Sequence, residues 1–395
     1  MKILISGASI AGPAAAFWLV RRGHDVTVIE RASALRRGGY AIDVRGVALQ
    51  VIERMGLRET LRPLETDTQS NSLVDGRGRR FGKLPRGFGV IDPGDIEILR
   101  GDLAGALFDV TRPDVRYRFG ETIASMLERG DHVEVTFTSG ARERYDVVIG
   151  ADGIHSRVRA LAFGPEEDFV DDLGSAMAIA TVPASLGLVR EQLSYNDVKR
   201  IATVKSTNGD REMKVCVFYP MTREAFDPED EALQKRQLLD AFRGSAWVLS
   251  QLTEAMAQAG DFYCDLTCQI RMDRFHEGRV ALVGDAGYCP SPLSGQGSSL
   301  ALVGGYVLAS ELGASADPLV ALPRYDAAVR DFVVKNQDFA KKIAGGFAPS
   351  SPFELAVRNA AMRVLPYLPG TSWIMSKAMA GVRDAAMALT LPQLT

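Results

Sequence analysis

The sequence predicts an α/β protein: a domain with a parallel sheet, interrupted by an inserted α+β domain and followed by a C-terminal helix. Three observations carry that expectation. Residues 1–30 pass from a short β-branched run to a helical pattern and back to a strand. A second apolar strand pattern, RVALVGDA, follows residue 278 and leads into another helical run. Between them, strand-like runs around a charged helical stretch require a sheet of their own.

At 395 residues the chain suits two domains, or one large domain with an insertion. Apolar residues make up 46% and charged residues 24%, with both signs interspersed, as in a globular protein. A net charge of -3 argues against nucleic acid or anionic membrane as the main partner and fits a small neutral or anionic substrate. Cys216, Cys264, Cys268 and Cys289 form no C-x-x-C pair and no disulfide framework, so a reducing, cytoplasmic setting is expected. Cys264 and Cys268 share one face of a strand as core partners rather than metal ligands. The opening MKILISGASIAGPAAAFWLV is similar to a secretory leader, but its change of period and the following strand make it part of the fold.

Taken in order, residues 2–6 and 25–30 read as strands, with a helix from Pro13 to Arg22 closed by Gly23. Residues 75–95 are rich in glycine and proline and read as a hairpin leaving the first domain; a helix from Leu99 to Val110 returns to it. HVEVTFTS and RERYDVVIGAD form a hairpin at Gly140. MKVCVFYP and YCDLTCQIRM flank the helical DEALQKRQLLDAFRGSAWVLSQL. RVALVGDA, the loop CPSPLSGQG and the helix SSLALVGGYVLASELG follow, and the chain beyond Pro318 reads as helical. The expected division is 1–74, 97–169 and 273–345 for the first domain, 75–96 and 170–272 for a substrate domain, and 346–395 for a C-terminal helical segment.

Gly7, Ser9 and Gly12 occupy the three positions of a G-x-G-x-x-G fingerprint, with Ile10 and Ala11 inside it and serine replacing the second glycine. The turn follows a strand, opens a helix whose amides can receive a pyrophosphate, and is followed 18 residues after Gly12 by Glu30 at a strand end. The result is a Rossmann-like dinucleotide site. Glu30 suits a ribose diol and repels a 2′-phosphate. Arg31 follows it. Ser9 is the departure, because its Cβ limits the approach of a phosphate.

VVIGADGIHSRVR at 147–159 and GRVALVGDAGYCPSPLSGQGSSLALVGGYVLASEL at 278–312 add to that fingerprint. Together the three motifs resemble the class A flavin monooxygenases of the para-hydroxybenzoate hydroxylase fold, in the branch with tetracycline-oxidising enzymes and aromatic polyketide hydroxylases. The resemblance implies non-covalent FAD in the first domain, NAD(P)H as a transient reductant, and O2. It implies a flavin C4a-hydroperoxide as oxidant, so that no catalytic side chain is assigned. It further implies that Asp285 bonds the ribityl chain, that Pro292, Gly295, Gln296 and Gly297 lie beside the flavin ring, and that the amides of Ser298 and Ser299 face its pyrimidine edge. Asp152 matches the acid of the middle motif, with Arg157 and Arg159 behind it, and Arg45 and Arg100 match arginines that touch the flavin, pyrophosphate or ribityl groups. Tyr288 stands where many members have histidine, and Ser299 where many have asparagine.

The expected activity is hydroxylation or another oxygenation of an apolar aromatic or polycyclic small molecule. Pocket walls are expected from Tyr288, Pro292 and the alternating faces of MKVCVFYP, either Val215, Val217 and Tyr219 or Cys216 and Phe218. A flavin reductase or dehydrogenase of the same fold, and a non-catalytic flavin protein that sequesters a ligand, are the alternatives. His24, His132, His155 and His276 have no ligand spacing, so no metal site is expected and each histidine reads as a core or surface residue. Arg36 and Arg37 read as a solvated pair. The chain is expected to act as a monomer or homodimer without membrane attachment, and its apolar C-terminal stretch to bridge the domains, pack in a dimer or touch a membrane.

Overall fold

The computed structural model describes residues 1–35, 39–84, 94–364 and 380–393. The expected basic pair Arg36 and Arg37, residues 85–93 of the expected hairpin, and most of the C-terminal WIMSKAMAGV run lie outside them. The βαβ unit forms as expected: β1 (Lys2–Ser6) pairs parallel with β2 (Asp25–Glu30) across α1 (Ala11–Arg21).

Strand Val147–Gly150 lies parallel to β1 on its other side, and Val280–Leu282 lies parallel to that strand. Arg116–Phe119 beyond β2 and His276–Glu277 at the opposite edge complete six strands. One face is covered by α1, helix Arg100–Thr111 and helix Gly297–Ala314, whose apolar residues merge into one core. The other face receives an antiparallel meander of Ile123–Arg129, His132–Phe137 and Arg142–Tyr145. The expected continuous strand RERYDVVIGAD therefore breaks at Asp146. Its carboxylate accepts from the Lys2 amide at 2.6 Å while its own amide donates to the Lys2 carbonyl at 2.8 Å, which turns the chain from meander to parallel sheet.

The second sheet has seven strands in the order Tyr263–Ile270, Val170–Pro183, Glu212–Pro220, Arg200–Thr207, Glu191–Asp197, Ser70–Val74 and Arg80–Leu84. Helices Glu231–Phe242 and Leu249–Gln258 pack on one of its faces. Cys264 and Cys268 point together into that core. Strand Ser70–Val74, assigned above to the first domain, pairs parallel with Glu191–Asp197 and so belongs to the second sheet. Its partner is over a hundred residues away, so no local turn marks the crossing.

The C-terminal region touches the second sheet and the helical layer that covers the first. Met362 O lies against Gly82 and Arg363 over the Phe81 ring, both on strand Arg80–Leu84. Residues 380–386 form a helix whose Ala386 backbone abuts Gly46, and Pro392 O accepts from Tyr306 in helix Gly297–Ala314 at 2.7 Å. Of the three readings for this stretch, these contacts are those of a bridge. No helix among the described residues is long and apolar enough to cross a membrane.

Candidate cofactor site

Three segments far apart in sequence are held together by glycines that admit no side chain. A Cβ on Gly7 would sit 2.2 Å from the Ala151 carbonyl of the middle motif. One on Gly12 would sit 1.9 Å from the Gly7 carbonyl, and one on Gly284, just before Asp285, would sit 2.9 Å from the Ala11 Cβ. Gly7 and Gly284 also have positive φ, +113° and +66°, so any side chain is strained there before it clashes. The result brings Gly7 to Gly12, Ala151 and Asp285 around the start of α1. Ile10 precedes that helix without a side-chain cap, so its first amides have no side-chain acceptor.

Glu30 ends β2 beside this turn, accepting from the amides of Ala8 at 3.0 Å and Ala32 at 2.9 Å. Arg31 is exposed next to it. The serine of the fingerprint has a partner: Arg100, the first residue of its helix, donates to the Ser9 hydroxyl at 2.8 Å. Arg100 is in turn held through its amide by the Tyr40 carbonyl at 2.9 Å.

A second group of residues surrounds the loop 291–299. Arg45 is buried and ion-paired with Asp43, two residues away on the same strand face, and its amide donates to the Ser299 hydroxyl at 3.3 Å. Gly295 abuts this pair in a left-handed turn, with φ +62°. Burial pushes the Asp43 carboxyl up to about 6, against the opposing pull of Arg45. Asp43 faces Glu97 across the two-stranded pairing of Ala41–Val44 with Ile96–Leu99, and Lys205 from the second sheet ion-pairs with Glu97. Several buried polar atoms here lack a hydrogen-bond partner among the described residues: Arg45 Nε, Asp43 Oδ1, and both Nε2 and Oε1 of the fully buried Gln296. Most buried polar atoms find a protein, water or ligand partner, so this concentration of unpartnered atoms around one loop is compatible with a polar ligand there.

Asp285 stands at the centre. It is accessible to water, yet desolvation by surrounding protein is the largest influence on it and raises its pKa, with Arg100 opposing. The same combination holds for Tyr263, which is 40% exposed, and in part for Tyr40 and Cys216, which are half-buried. Cys216 and Tyr263 both pair with Ile179, so they share the face of the second sheet turned away from its helices, and Tyr40 and Asp285 come within electrostatic reach across a water-accessible cleft. Tyr40 lies within electrostatic reach of Arg100, Asp285 and Cys216, and Tyr263 within reach of Tyr40 and Arg100. One wall of the cleft thus comes from the first sheet's loops and the other from the second sheet. Gly297, at the start of its helix, lies beside Asp285, with 3.6 Å from a built Cβ to Oδ1.

Residues 1–338 match the FAD binding domain family. The chain belongs to that family. It is 36% identical to a flavin-dependent monooxygenase of Legionella longbeachae over 100% of this chain and 98% of that one. It is 44% identical to an uncharacterized protein of Mycobacterium tuberculosis, covering 91% and 99% of the two chains. Among solved structures, tetracycline destructase Tet(55) superposes with a TM-score of 0.85 at 33% identity, over 99% and 98% of the chains. The resemblance read from the three motifs is borne out, and the enzyme class is that of the FAD-dependent monooxygenases.

The residues present fit the family's cofactor. The glycine-lined start of α1 suits a pyrophosphate, Glu30 a ribose, Asp285 and Arg100 a polyol chain, and the unpartnered atoms of Arg45 and Gln296 the polar edge of a flavin. Other expected site residues take different positions. Both oxygens of Asp152 are engaged inside the protein, accepting from Ser156 Oγ at 2.5 Å, the amides of Arg157 and Val158 at 2.9 and 3.2 Å, and Ser6 Oγ at 3.4 Å. It shapes the turn behind the site instead of facing a ligand. Arg159 is fully buried and clamps the carbonyls of Ile154 and Ala286.

Two sets of expected pocket walls are corrected. Val215, Val217 and Tyr219 are fully buried under helices Glu231–Phe242 and Leu249–Gln258. Strand alternation therefore leaves Cys216 and Phe218, together with Lys214, on the opposite face. Tyr288 is packed in the first core, with its hydroxyl 2.9 Å from that of Tyr325 and its ring edge-on to Phe275, because Gly304 leaves space for it. Pro292 is half-buried and Ser298 half-buried, while Ser299 is buried against Arg45. Sequence reasoning missed Tyr40, Asp43, Tyr263 and Asp265. The period-2 pairs D-V-R and Y-C-D, which put Asp43 with Arg45 and Tyr263 with Asp265 on one face, were the available signal.

Proposed function

We propose that the chain consumes NAD(P)H and O2 to hydroxylate or otherwise oxygenate an apolar aromatic or polycyclic molecule held in the cleft between the two sheets. The observation that carries this reading is the cleft itself, with Asp285, Arg100 and Tyr40 on one wall and Cys216 and Tyr263 on the other. FAD, when bound, supplies electron storage and oxygen activation. The protein's part is to fix the substrate in a shaped, largely dry space, with the first sheet serving the cofactor and the second the substrate.

Only one dinucleotide fingerprint is present, so NAD(P)H is read as a transient visitor rather than a resident. The polycyclic substrate class is supported by the likeness to a tetracycline destructase. Purified protein with NADPH, isotopically labelled O2 and tetracycline or a simpler polycyclic phenol tests the reading. The expected outcome is product carrying one labelled oxygen with NADPH consumed. Oxidised product that forms equally well without oxygen would sink it.

A further inference from the structure

One histidine is not the isolated residue that the sequence suggested. His155 is bonded on both ring nitrogens, with Nδ1 2.9 Å from Glu166 Oε1 and Nε2 3.3 Å from Asp265 Oδ2. The same Oδ2 accepts the Tyr263 hydroxyl at 2.9 Å. The other Asp265 oxygen takes the Leu266 amide at 2.8 Å, which fixes the carboxylate in the strand. Glu166 is steadied from behind by the fully buried Arg159 at 2.8 Å. The chain of bonds therefore runs from a histidine at the surface, through a buried carboxylate, to a phenol exposed inside the cleft.

We propose that His155, Asp265 and Tyr263 form a proton relay that carries a proton from solvent to an oxygen-bearing group in the cleft, with Tyr263 as the residue that touches it. The assignment rests on the oxygenase reading, because that conversion needs a proton: substrate–H + O2 + NAD(P)H + H⁺ gives substrate–OH + NAD(P)⁺ + H2O. Tyr263 Oη–H passes its proton to the acceptor. Asp265 Oδ2, protonated by His155 Nε2–H, restores the phenol, and water restores the imidazolium. Atoms and charge balance over the cycle, and each transfer follows a bond already present except the last, from Tyr263 into the cleft.

The groups around the relay favour this direction. Burial opposes the charge on His155, but Asp265 and Glu166 outweigh it and raise its pKa to about 10, so the relay is loaded at neutral pH. The charged groups facing His155 are Asp265 from strand Tyr263–Ile270 and Glu166 from turn Glu166–Asp168. Arg159 and Arg223 stand behind Glu166. Facing Tyr263 are Asp265, Tyr40 and Arg100. Burial first, then Asp265 and Tyr40, hold the phenol far above its ordinary range against the opposing pull of Arg100, so it remains a donor.

The test combines titration of the protein with turnover. Nuclear magnetic resonance of ¹⁵N-labelled imidazole is expected to show His155 titrating near 10, and Asp265→Asn to bring it down by at least one unit. In turnover with labelled O2, Tyr263→Phe is expected to lower kcat tenfold or more, on the order expected for losing a general acid. His155→Gln is expected to remove the alkaline limb of the kcat profile. An ordinary His155 titration indifferent to Asp265→Asn overturns the relay, as does a Tyr263→Phe enzyme with wild-type kcat and pH profile. Wild-type protein that oxygenates nothing while His155 still answers to Asp265 overturns the oxygenase reading and leaves the bonded chain supported.

Discussion

Arg100 donates to the hydroxyl of Ser9 at 2.8 Å, so the residue that departs from the glycine fingerprint is tied to a cation on the neighbouring helix. The serine gives up close backbone approach and gains an anchored arginine between the glycine turn and Asp285. Ser9→Ala is expected to weaken FAD binding by about threefold to tenfold, the scale of one hydrogen bond. Arg100→Ala, which removes a charge-assisted donor, should cost more, about tenfold or above. Quenching of flavin fluorescence on titration of apoprotein measures both.

Gly12→Val and Asp285→Ala should each yield colourless protein. A valine at position 12 must displace the Gly7 carbonyl, which a Cβ would approach to 1.9 Å, so the turn cannot keep its shape. Loss of Asp285 removes the acid that water reaches at the centre of the cleft. Visible absorbance per protein after desalting decides the matter, and normal flavin retention in both variants would refute the site as drawn.

Val217→Ala and Phe218→Ala are adjacent changes with different expected effects. Val217 is fully buried beneath the helices, so its truncation should cost about 2 kcal/mol of stability and leave KM near wild type. Phe218 is on the cleft-side face, with its ring 4.9 Å from that of Phe347, so its truncation should raise KM more than it lowers Tm. Thermal unfolding and steady-state kinetics on the pair separate the two roles.

Asp43 makes apoprotein stability depend on mild acid. Its carboxyl is raised from 3.8 to about 6 in the fold, so the folded state binds the proton more readily. That contribution is fully present below the ordinary carboxylate value and is lost as pH rises through about 6. Asp43→Asn should remove this slope, which amounts to at most about 3 kcal/mol. Urea midpoints of the two proteins at pH 4, 5, 6 and 7 should diverge over that window and run parallel above it.

The βαβ unit, the fingerprint and the Asp285 strand were legible because each is local: a period, a glycine spacing, an acid after an apolar run. What was not legible depends on pairing between distant segments. Which face of Glu212–Pro220 meets the helices is a property of the packed sheet, and alternation alone left Val217 and Phe218 equivalent. Tyr288 reads as a pocket residue next to Asp285 until the space left by Gly304 draws it into the core. Asp152 looks like a ligand group in its motif, and only the four donors gathered around it show that it holds a turn. The sheet partner of Ser70–Val74 and the Asp265 partner of His155 lie a hundred residues or more away, beyond any local signal.

The strand order of the first sheet has a kinetic consequence. Its centre, β1, is flanked by Val147–Gly150, and Asp285 follows a strand that pairs with that neighbour only after some 130 intervening residues. Closing such loops delays the reward for assembling the sheet, so folding is expected to be slow relative to locally connected proteins of this size. A fragment ending before residue 280 lacks both the strand and the acid, so cofactor capture should be the last event of folding rather than its nucleus.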